Sequence, residues 1–347
     1  MSDSAGITES TDTAASTETA ESTEMNMLTA INHTLHREMA RDDRVIVLGE
    51  DVGANGGVFR ATEGLYDEFG ATRVVDTPLA EGVILGASVG LAASGLVPVP
   101  EIQFLGFVYQ AFHQLAGQVA RMRYRTRGRF HAGITIRAPF GGGIRTPELH
   151  SDALEGQLCN IPGLKVVMPA SAADAKGLLA TAIRDPDPVL FLEPLRGYRL
   201  IKGQVPTGEH LVPFGRAATV TEGDDVVLIA WSYMVEVCRR AAGKLSDLGI
   251  SARVLDLRTL VPLDTEAITS AVEECGRAVV VQEAPRTGGF ASDVVAEIND
   301  RALWSLEAPV ARVSAYDNPY PVGLLEDDYL PDVDKVVEAA RRTVEAS

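Results

Sequence analysis

Two side chains have the type and setting for chemistry, Glu81 and His150. Glu81 is the only charged residue between Pro78 and Gly95 in an otherwise apolar and small-residue run. Pro78 favours a helix start nearby, because its missing N–H costs nothing there. A carboxylate in the first turn of such a helix is either a partner of the helix dipole or a buried catalytic acid. The local residues leave both interpretations open.

His150 follows the glycines at 141–143 in the segment Thr146-Pro-Glu-Leu-His-Ser-Asp152. Imidazole titrates near neutral pH, and a histidine on a glycine-rich loop can reach a substrate. The alternative is a loop histidine bonded only to its neighbours. The other histidines show no metal-ligand spacing.

The run that contains Glu81 also predicts how its helix packs. Gly82, Gly86, Gly90 and Ser94 recur every four residues and therefore share one helical face. A face without side chains predicts close approach of another backbone.

Strands alternate with helices along the chain, which predicts two α/β domains, each with a mainly parallel sheet. We expect the first domain at 25–202, a linker rich in Gly and Pro at 203–215 and the second domain at 216–347. Residues 1–24 contain acidic, small and hydroxyl-bearing residues but no basic or aromatic ones, which predicts a disordered acidic tail.

Composition excludes several classes of function. The net charge of −17 argues against nucleic acid as a partner. No apolar run is long enough for a membrane span, and no secretory signal is recognisable. Three separated cysteines, without CxxC spacing, favour a reducing cytoplasm over a zinc or disulfide framework. Dinucleotide and Walker fingerprints are absent, as is a Gly-Asp-Gly motif followed by Asn.

A series of short strings occurs in a fixed order along the chain. They include Gly49-Glu-Asp-Val52, Asp76-Thr-Pro-Leu-Ala-Glu81, Glu101-Ile-Gln-Phe104, Thr146-Pro-Glu-Leu-His-Ser151, Asp256-Leu-Arg-Thr-Leu260 and Gln282-Glu-Ala284. In this order the chain, from Met25 to Glu345, resembles the beta subunit of the thiamine-diphosphate-dependent decarboxylase (first) component of 2-oxo acid dehydrogenase complexes. Pyruvate and branched-chain types both belong to that family. The resemblance implies a transketolase-like pyrimidine-binding domain followed by a transketolase C-terminal domain.

The resemblance also implies partners and cofactors. The family forms an α2β2 heterotetramer with thiamine diphosphate at the α/β interfaces. Its Gly-Asp-Gly…Asn motif lies on the alpha subunit, which holds Mg2+ and the diphosphate; the absence of that motif here is therefore expected. A lipoyl acyltransferase component is the further partner.

Site residues follow from the same resemblance. Glu81 matches the catalytic glutamate of the family. That residue hydrogen-bonds the pyrimidine ring of the cofactor and so promotes loss of the C2 proton that turns thiamine into a nucleophilic ylid. Leu79, Gln103 and Phe107 match the lining of the pyrimidine pocket, with Phe107 where some relatives carry Tyr. His150 matches the active-site histidine, which positions substrate or moves protons during acyl transfer to lipoamide.

Some relatives hold a structural K+ in this subunit, mostly through backbone carbonyls. The matching positions are Ile134, Ala182, Ile183, Asp185 and Asp187. Relatives often have Asn at the position of Asp187.

The predicted function is oxidative decarboxylation of a 2-oxo acid on thiamine diphosphate and reductive acylation of lipoamide, with pyruvate favoured. A branched-chain 2-oxo acid or acetoin is the alternative substrate. A non-catalytic scaffold that docks the acyltransferase is the alternative of another class, and the presence of Glu81 and His150 argues against it.

Overall fold

A computed structural model describes residues 21–346 of the protein. The strands are β1 Ser22–Asn26, β2 Val45–Gly49, β3 Val74–Asp76, β4 Val97–Glu101, β5 Thr135–Phe140, β6 Lys165–Val167, β7 Val189–Pro194, β8 Lys202–Pro206, β9 Ala218–Thr221, β10 Val226–Ala230, β11 Ala252–Asp256, β12 Thr259–Val261, β13 Ala278–Pro285 and β14 Ala311–Ala315. The helices are α1 Met27–Arg41, α2 Leu65–Phe69, α3 Glu81–Ala93, α4 Val108–Gln114, α5 Met122–Arg125, α6 Glu155–Cys159, α7 Ala172–Arg184, α8 Gly197–Leu200, α9 Tyr233–Asp247, α10 Thr265–Cys275, α11 Ala291–Ala302, α12 Glu326–Tyr329 and α13 Val333–Glu345.

The first domain is built on a seven-stranded sheet of order β12-β6-β7-β5-β4-β2-β3. Every neighbouring pair is parallel except β12 with β6. Its strands read as continuous apolar runs, as in Val45–Gly49, because helices cover both faces of a parallel sheet. The predicted α/β fold is therefore confirmed.

The second domain has a five-stranded sheet of order β14-β13-β10-β11-β9, antiparallel only between β11 and β9. Strand β12, which follows β11 in the chain, leaves this sheet and joins the first one. A single apolar cluster also runs across both domains and includes Leu158 and Leu164 of the first and Trp231 and Leu260 of the second. The two domains thus share a core as well as a sheet.

The predicted tail and the predicted linker each contain a strand that the sequence analysis did not expect, and the two strands pair with each other. Residues 22–24, expected in the disordered tail, belong to β1, which pairs antiparallel with β8 in the expected linker. Composition misses this pairing because two apolar side chains, Met25 and Val205, stabilise it by packing on Ala30 and Ala172. Residues 1–20 of the predicted tail lie outside the described residues.

Helix α3 begins at Glu81, just after Pro78, as predicted. The predicted close approach is present at Gly82, where an added Cβ would lie 3.2 Å from the backbone oxygen of Gln110 in α4. It is absent at Gly90, which has open space in this chain. Across residues 21–346, no helix is both long and apolar enough to cross a membrane.

Candidate active site

The carboxyl ends of neighbouring strands bring the predicted residues to one edge of the seven-stranded sheet. Gly49, which ends β2, lies in register with Asp76 of β3 and Glu101 of β4. The chain continues from these ends into Glu50, into the turn that leads to Glu81, and into Gln103. Open parallel sheets bind ligands at this edge.

Glu81 is the first residue of α3 and is only 5% exposed. The preceding residue, Ala80, has no side chain that could cap the helix. The carboxylate of Glu81 therefore lies at the positive end of the helix dipole, in the setting that the sequence predicts. The helix accounts for the placement of the group, and its burial makes it a candidate for chemistry.

Glu50 is the electrostatic neighbour of Glu81. It is 3% exposed, and neither of its carboxylate oxygens has a hydrogen-bond partner among the described residues. Burial, followed by the charges of Glu81, Asp51 and Glu101, raises the pKa of Glu50 to about 7. A buried carboxyl group without a partner is costly. This edge of the sheet therefore has unmet hydrogen-bonding capacity that a bound ligand or a second chain could satisfy.

His150 lies against two aromatic rings of the segment after β4. Its ring centroid is 4.5 Å from that of Phe104 and 5.0 Å from that of Phe107, both in edge-to-face geometry. Its Nδ1 lies 2.8 Å from the carbonyl oxygen of Glu148. Because a carbonyl only accepts, Nδ1 carries the proton, which leaves Nε2 of a neutral imidazole able to accept one.

A glycine allows this placement. The backbone of Gly106, in the turn Leu105–Phe107, contacts the carbonyl of Leu149 so closely that no Cβ would fit. The predicted pocket residue Phe107 and the predicted active-site residue His150 are therefore adjacent. Gln103 and Phe107 are both half-buried.

The surface beside Glu81 is apolar and open. Leu79 is 80% exposed and Val83 is 63% exposed. The structure thus places Glu81 with Glu50, and His150 with Phe107, whereas Leu79 has no protein cover in this chain. Contiguous exposed apolar patches are typical of surfaces that a partner covers.

A buried ion network at the same edge was missed by the sequence analysis. Arg137, fully buried, donates to Glu193 at 2.7 and 2.9 Å and to Glu101 at 2.7 Å. The hydroxyl of Tyr198 donates to Glu193. Although burial opposes its charge, Glu193 and Glu101 raise the pKa of Arg137 above its ordinary value. The detectable signal was a charge inside each of two apolar strands, Thr135–Phe140 and Val189–Pro194.

The residues predicted to hold K+ lie near one another. The carbonyl of Ile134 accepts from the amide of Val189, and the carbonyl of Ala182 accepts from that of Asp185. The carboxylate of Asp185 binds Lys165 Nζ at 2.7 Å, while Asp187 pairs with Arg123. Ile183, which follows Ala182 in the chain, is buried. Within residues 21–346, no group of three or more His, Cys, Asp or Glu residues is arranged to hold a metal.

Comparisons with known proteins agree with this architecture. The family profile "Transketolase, pyrimidine binding domain" matches residues 23–199, and "Transketolase, C-terminal domain" matches residues 215–336. A solved split gene transketolase, described as an inactive beta4 tetramer, superposes with a TM-score of 0.76 at 22% identity. That superposition covers 92% of this chain and 98% of the other, and it supports the fold.

Curated relatives carry the comparison further. The Pyruvate dehydrogenase E1 component subunit beta of Bacillus subtilis is 53% identical over 321 residues, which is 92% of this chain and 99% of that protein. The proteins of the same name from Staphylococcus epidermidis and Staphylococcus aureus are 51% and 50% identical with the same coverage. The chain therefore belongs to the family of pyruvate dehydrogenase E1 component beta subunits, built from a transketolase pyrimidine-binding domain and a transketolase C-terminal domain.

Proposed function

We propose that this chain is the beta subunit of a pyruvate dehydrogenase that decarboxylates pyruvate on thiamine diphosphate and transfers the acyl group to lipoamide. The observation that carries the proposal is the buried carboxylate of Glu81 at the start of α3, beside Glu50, whose carboxylate has no hydrogen-bond partner among residues 21–346. The 53% identity over 92% of the chain supports pyruvate as the substrate. No observation favours a branched-chain acid, acetoin or a scaffold role.

The described residues fit the pyrimidine half of the cofactor. When bound, thiamine diphosphate supplies the carbon nucleophile and the electron sink for decarboxylation. Glu81, which is 5% exposed, would accept a hydrogen bond from the pyrimidine ring in a setting that excludes most water. Leu79, Gln103 and Phe107 form the apolar and amide lining of that pocket.

His150 serves the acyl-transfer half of the reaction. Its Nδ1 proton is engaged by the carbonyl of Glu148, so Nε2 is the atom that exchanges a proton with the reacting groups. The rings of Phe104 and Phe107 limit the orientations that the imidazole can take.

An alpha subunit completes the site in this proposal. The chain has no Gly-Asp-Gly…Asn motif to hold the diphosphate and Mg2+. The exposed Leu79 and Val83 beside Glu81 form an apolar surface suited to a second chain. We therefore expect an α2β2 assembly that docks a lipoyl acyltransferase.

The central test is Glu81→Gln in the reconstituted heterotetramer. We expect decarboxylation to fall about 10²–10⁴-fold, since Gln retains the shape but loses the charge. Glu63→Gln, the same change at an exposed position, is the matched control. Near-normal turnover by Glu81→Gln in an assembled tetramer would remove Glu81 from the mechanism. Turnover on pyruvate, branched 2-oxo acids and acetoin assigns the substrate.

A second test concerns the shared cofactor site. Calorimetry should detect thiamine diphosphate binding with Mg2+ only when an alpha subunit is mixed with this chain. Tight binding by this chain alone would contradict the division of the site between two subunits.

A structural K+ is a separate part of the proposal. Because Lys165 and Arg123 already neutralise Asp185 and Asp187, the ion would have to be held by backbone carbonyls such as those of Ile134 and Ala182. Melting temperatures of the heterotetramer in equal concentrations of KCl and NaCl test this. Equal values would argue against the ion.

A further inference from the structure

The glycine-rich loop from Gly141 to His150, here called the His150 loop, is held from both ends. We propose that two carboxylates of the second domain, Glu283 and Glu326, position His150 by binding the backbone at the start of this loop. The inference rests on the proposed function for the step that it affects. It assigns a positioning role to the second domain, which contains no predicted site residue.

Glu283 makes the first anchor. It lies in β13, is buried, and its Oε1 accepts a hydrogen bond from the backbone N–H of Gly142 at 2.6 Å. The neighbouring Gly141 has a φ of +80°, and an added Cβ would lie 2.7 Å from the same oxygen. The loop backbone can reach Glu283 only because no side chain intervenes at this point.

Glu326 makes the second anchor. It is the first residue of α12, is buried, and its Oε2 accepts from the backbone N–H of Arg145 at 3.2 Å. The guanidinium of Arg145 pairs with Asp327 at 2.7 Å. An added Cβ at Gly142 would overlap the hydroxyl of Tyr320, so the loop also packs directly on this segment.

The far end of the loop is fixed in the first domain. Leu149 contacts Gly106, and His150 lies against Phe104 and Phe107. Between the ends, Arg145 and Leu149 have φ values of +55° and +67°. Such conformations are strained for residues with side chains and persist only where surrounding contacts enforce them. The second domain therefore supplies two carboxylates that bind the backbone near the start of the His150 loop.

The first anchor, Glu283, is a carboxylate in a setting that opposes its charge. Glu283 lies near Glu155 and Glu326, and burial, together with these charges, raises its pKa to about 7 although Gly142 and Arg196 act in the opposite direction. Burying such a group costs stability that an apolar side chain would not. Retaining acceptors here is consistent with a positioning role rather than with simple packing.

The test uses the reconstituted holoenzyme and two activities. One is decarboxylation with a small artificial electron acceptor, and the other is acylation of a free lipoyl domain. Glu283→Met removes the acceptor at similar volume, and we expect kcat/KM for lipoyl acylation to fall at least about tenfold, with a smaller fall in decarboxylation. Glu283→Gln keeps an acceptor oxygen and should restore most of the loss. Asp256→Asn, a change at a buried carboxyl in the same domain whose Oδ1 accepts from the backbone N–H of Arg258, is the control.

A double variant shows whether the effect acts through His150. In a His150→Ala background, Glu283→Met should cost nothing further in lipoyl acylation, because the residue that it positions is gone. A full additional loss in that background would overturn the inference. Normal lipoyl acylation by Glu283→Met, or equal losses in both activities, would do so as well.

Amide hydrogen exchange in the unmodified holoenzyme is a second measurement, and it stands even if Glu283→Met does not fold. The amides of Gly142 and Arg145 should exchange more slowly than that of Ile144. Equal rates would contradict the anchoring. If the wild-type holoenzyme decarboxylates no 2-oxo acid, the proposed function is wrong, while slow exchange at Gly142 and Arg145 would still support the anchoring.

Discussion

Buried carboxylates at the same edge of the seven-stranded sheet differ in whether they have a hydrogen-bond partner: Glu101 and Glu193 do, and Glu50 does not among residues 21–346. Glu101 and Glu193 share the guanidinium of Arg137 through three hydrogen bonds of 2.7 to 2.9 Å. Glu50 has no hydrogen-bond partner among residues 21–346, although it lies near Glu81 and Glu101. Glu101 and Glu193 thus form a paired set with Arg137, whereas Glu50 is left with unmet hydrogen-bonding capacity among the described residues.

The difference separates structural from functional burial of charge. A bidentate Arg–carboxylate pair satisfies its own groups and fixes the strands that bear it. Carboxylates without a partner destabilise the chain that contains them, and they are found where a ligand or a subunit supplies the missing contact. The exposed fraction alone does not separate these residues, since Glu50, Glu101 and Glu193 are all at most 3% exposed.

Breaking the paired set should have the largest effect on stability. Arg137→Met leaves Glu101 and Glu193 buried without a counter-charge, and we expect the free energy of unfolding to fall by about 3–5 kcal/mol. Urea unfolding with an unchanged m-value would measure it. Replacing all three residues by apolar ones should recover most of the loss. A single variant as stable as wild type would show that the network contributes little.

Removing the unpaired charge should have the opposite sign and should depend on pH. The pKa of Glu50 is about 7 in the folded state against an ordinary value of 4.5, so folding takes up a proton between these values. The destabilisation caused by Glu50 therefore grows as pH rises from about 4.5 to 7 and is complete above 7. We expect Glu50→Gln to raise the melting temperature more at pH 8 than at pH 5. An equal shift at both pH values would contradict the assigned ionisation.

A partly exposed ion pair should matter least. Lys165 Nζ binds Asp185 at 2.7 Å, but both side chains retain contact with solvent. Lys165→Met should therefore change the free energy of unfolding by only about 0.2–1 kcal/mol. The same urea titration measures it, with Arg137→Met as the internal comparison. A loss as large as that of Arg137→Met would mean that exposure does not separate the two pairs.

The sequence predicts elements whose periodicity is strong and local. Helix α3 begins next to Pro78, as expected. The family resemblance is confirmed by the two domain matches and the curated relatives. The roles of Glu81, His150 and the pocket residues stay predictions.

Features that depend on distant partners could not be predicted. Strand β12 is three residues long, too short for a recognisable pattern, and it is a strand because it pairs with β6. Strand β1 depends on β8, 176 or more positions away in the chain, for every one of its ladder contacts. The anchors of the His150 loop likewise join Gly142 to Glu283, which no local pattern connects. Pattern reasoning reports periodicity within a window, whereas these contacts are set by the packing of two domains.

The position of β12 has a consequence for recombining this protein with its relatives. A chimaera cut at the connection between the domains would take Thr259–Val261 from the donor of the second half and pair it with the recipient's β6. It would likewise bring Glu283 and Glu326 from one parent to a His150 loop from the other. Exchanged halves should therefore function best when these crossing segments are inherited together with the sheet and the loop that they contact.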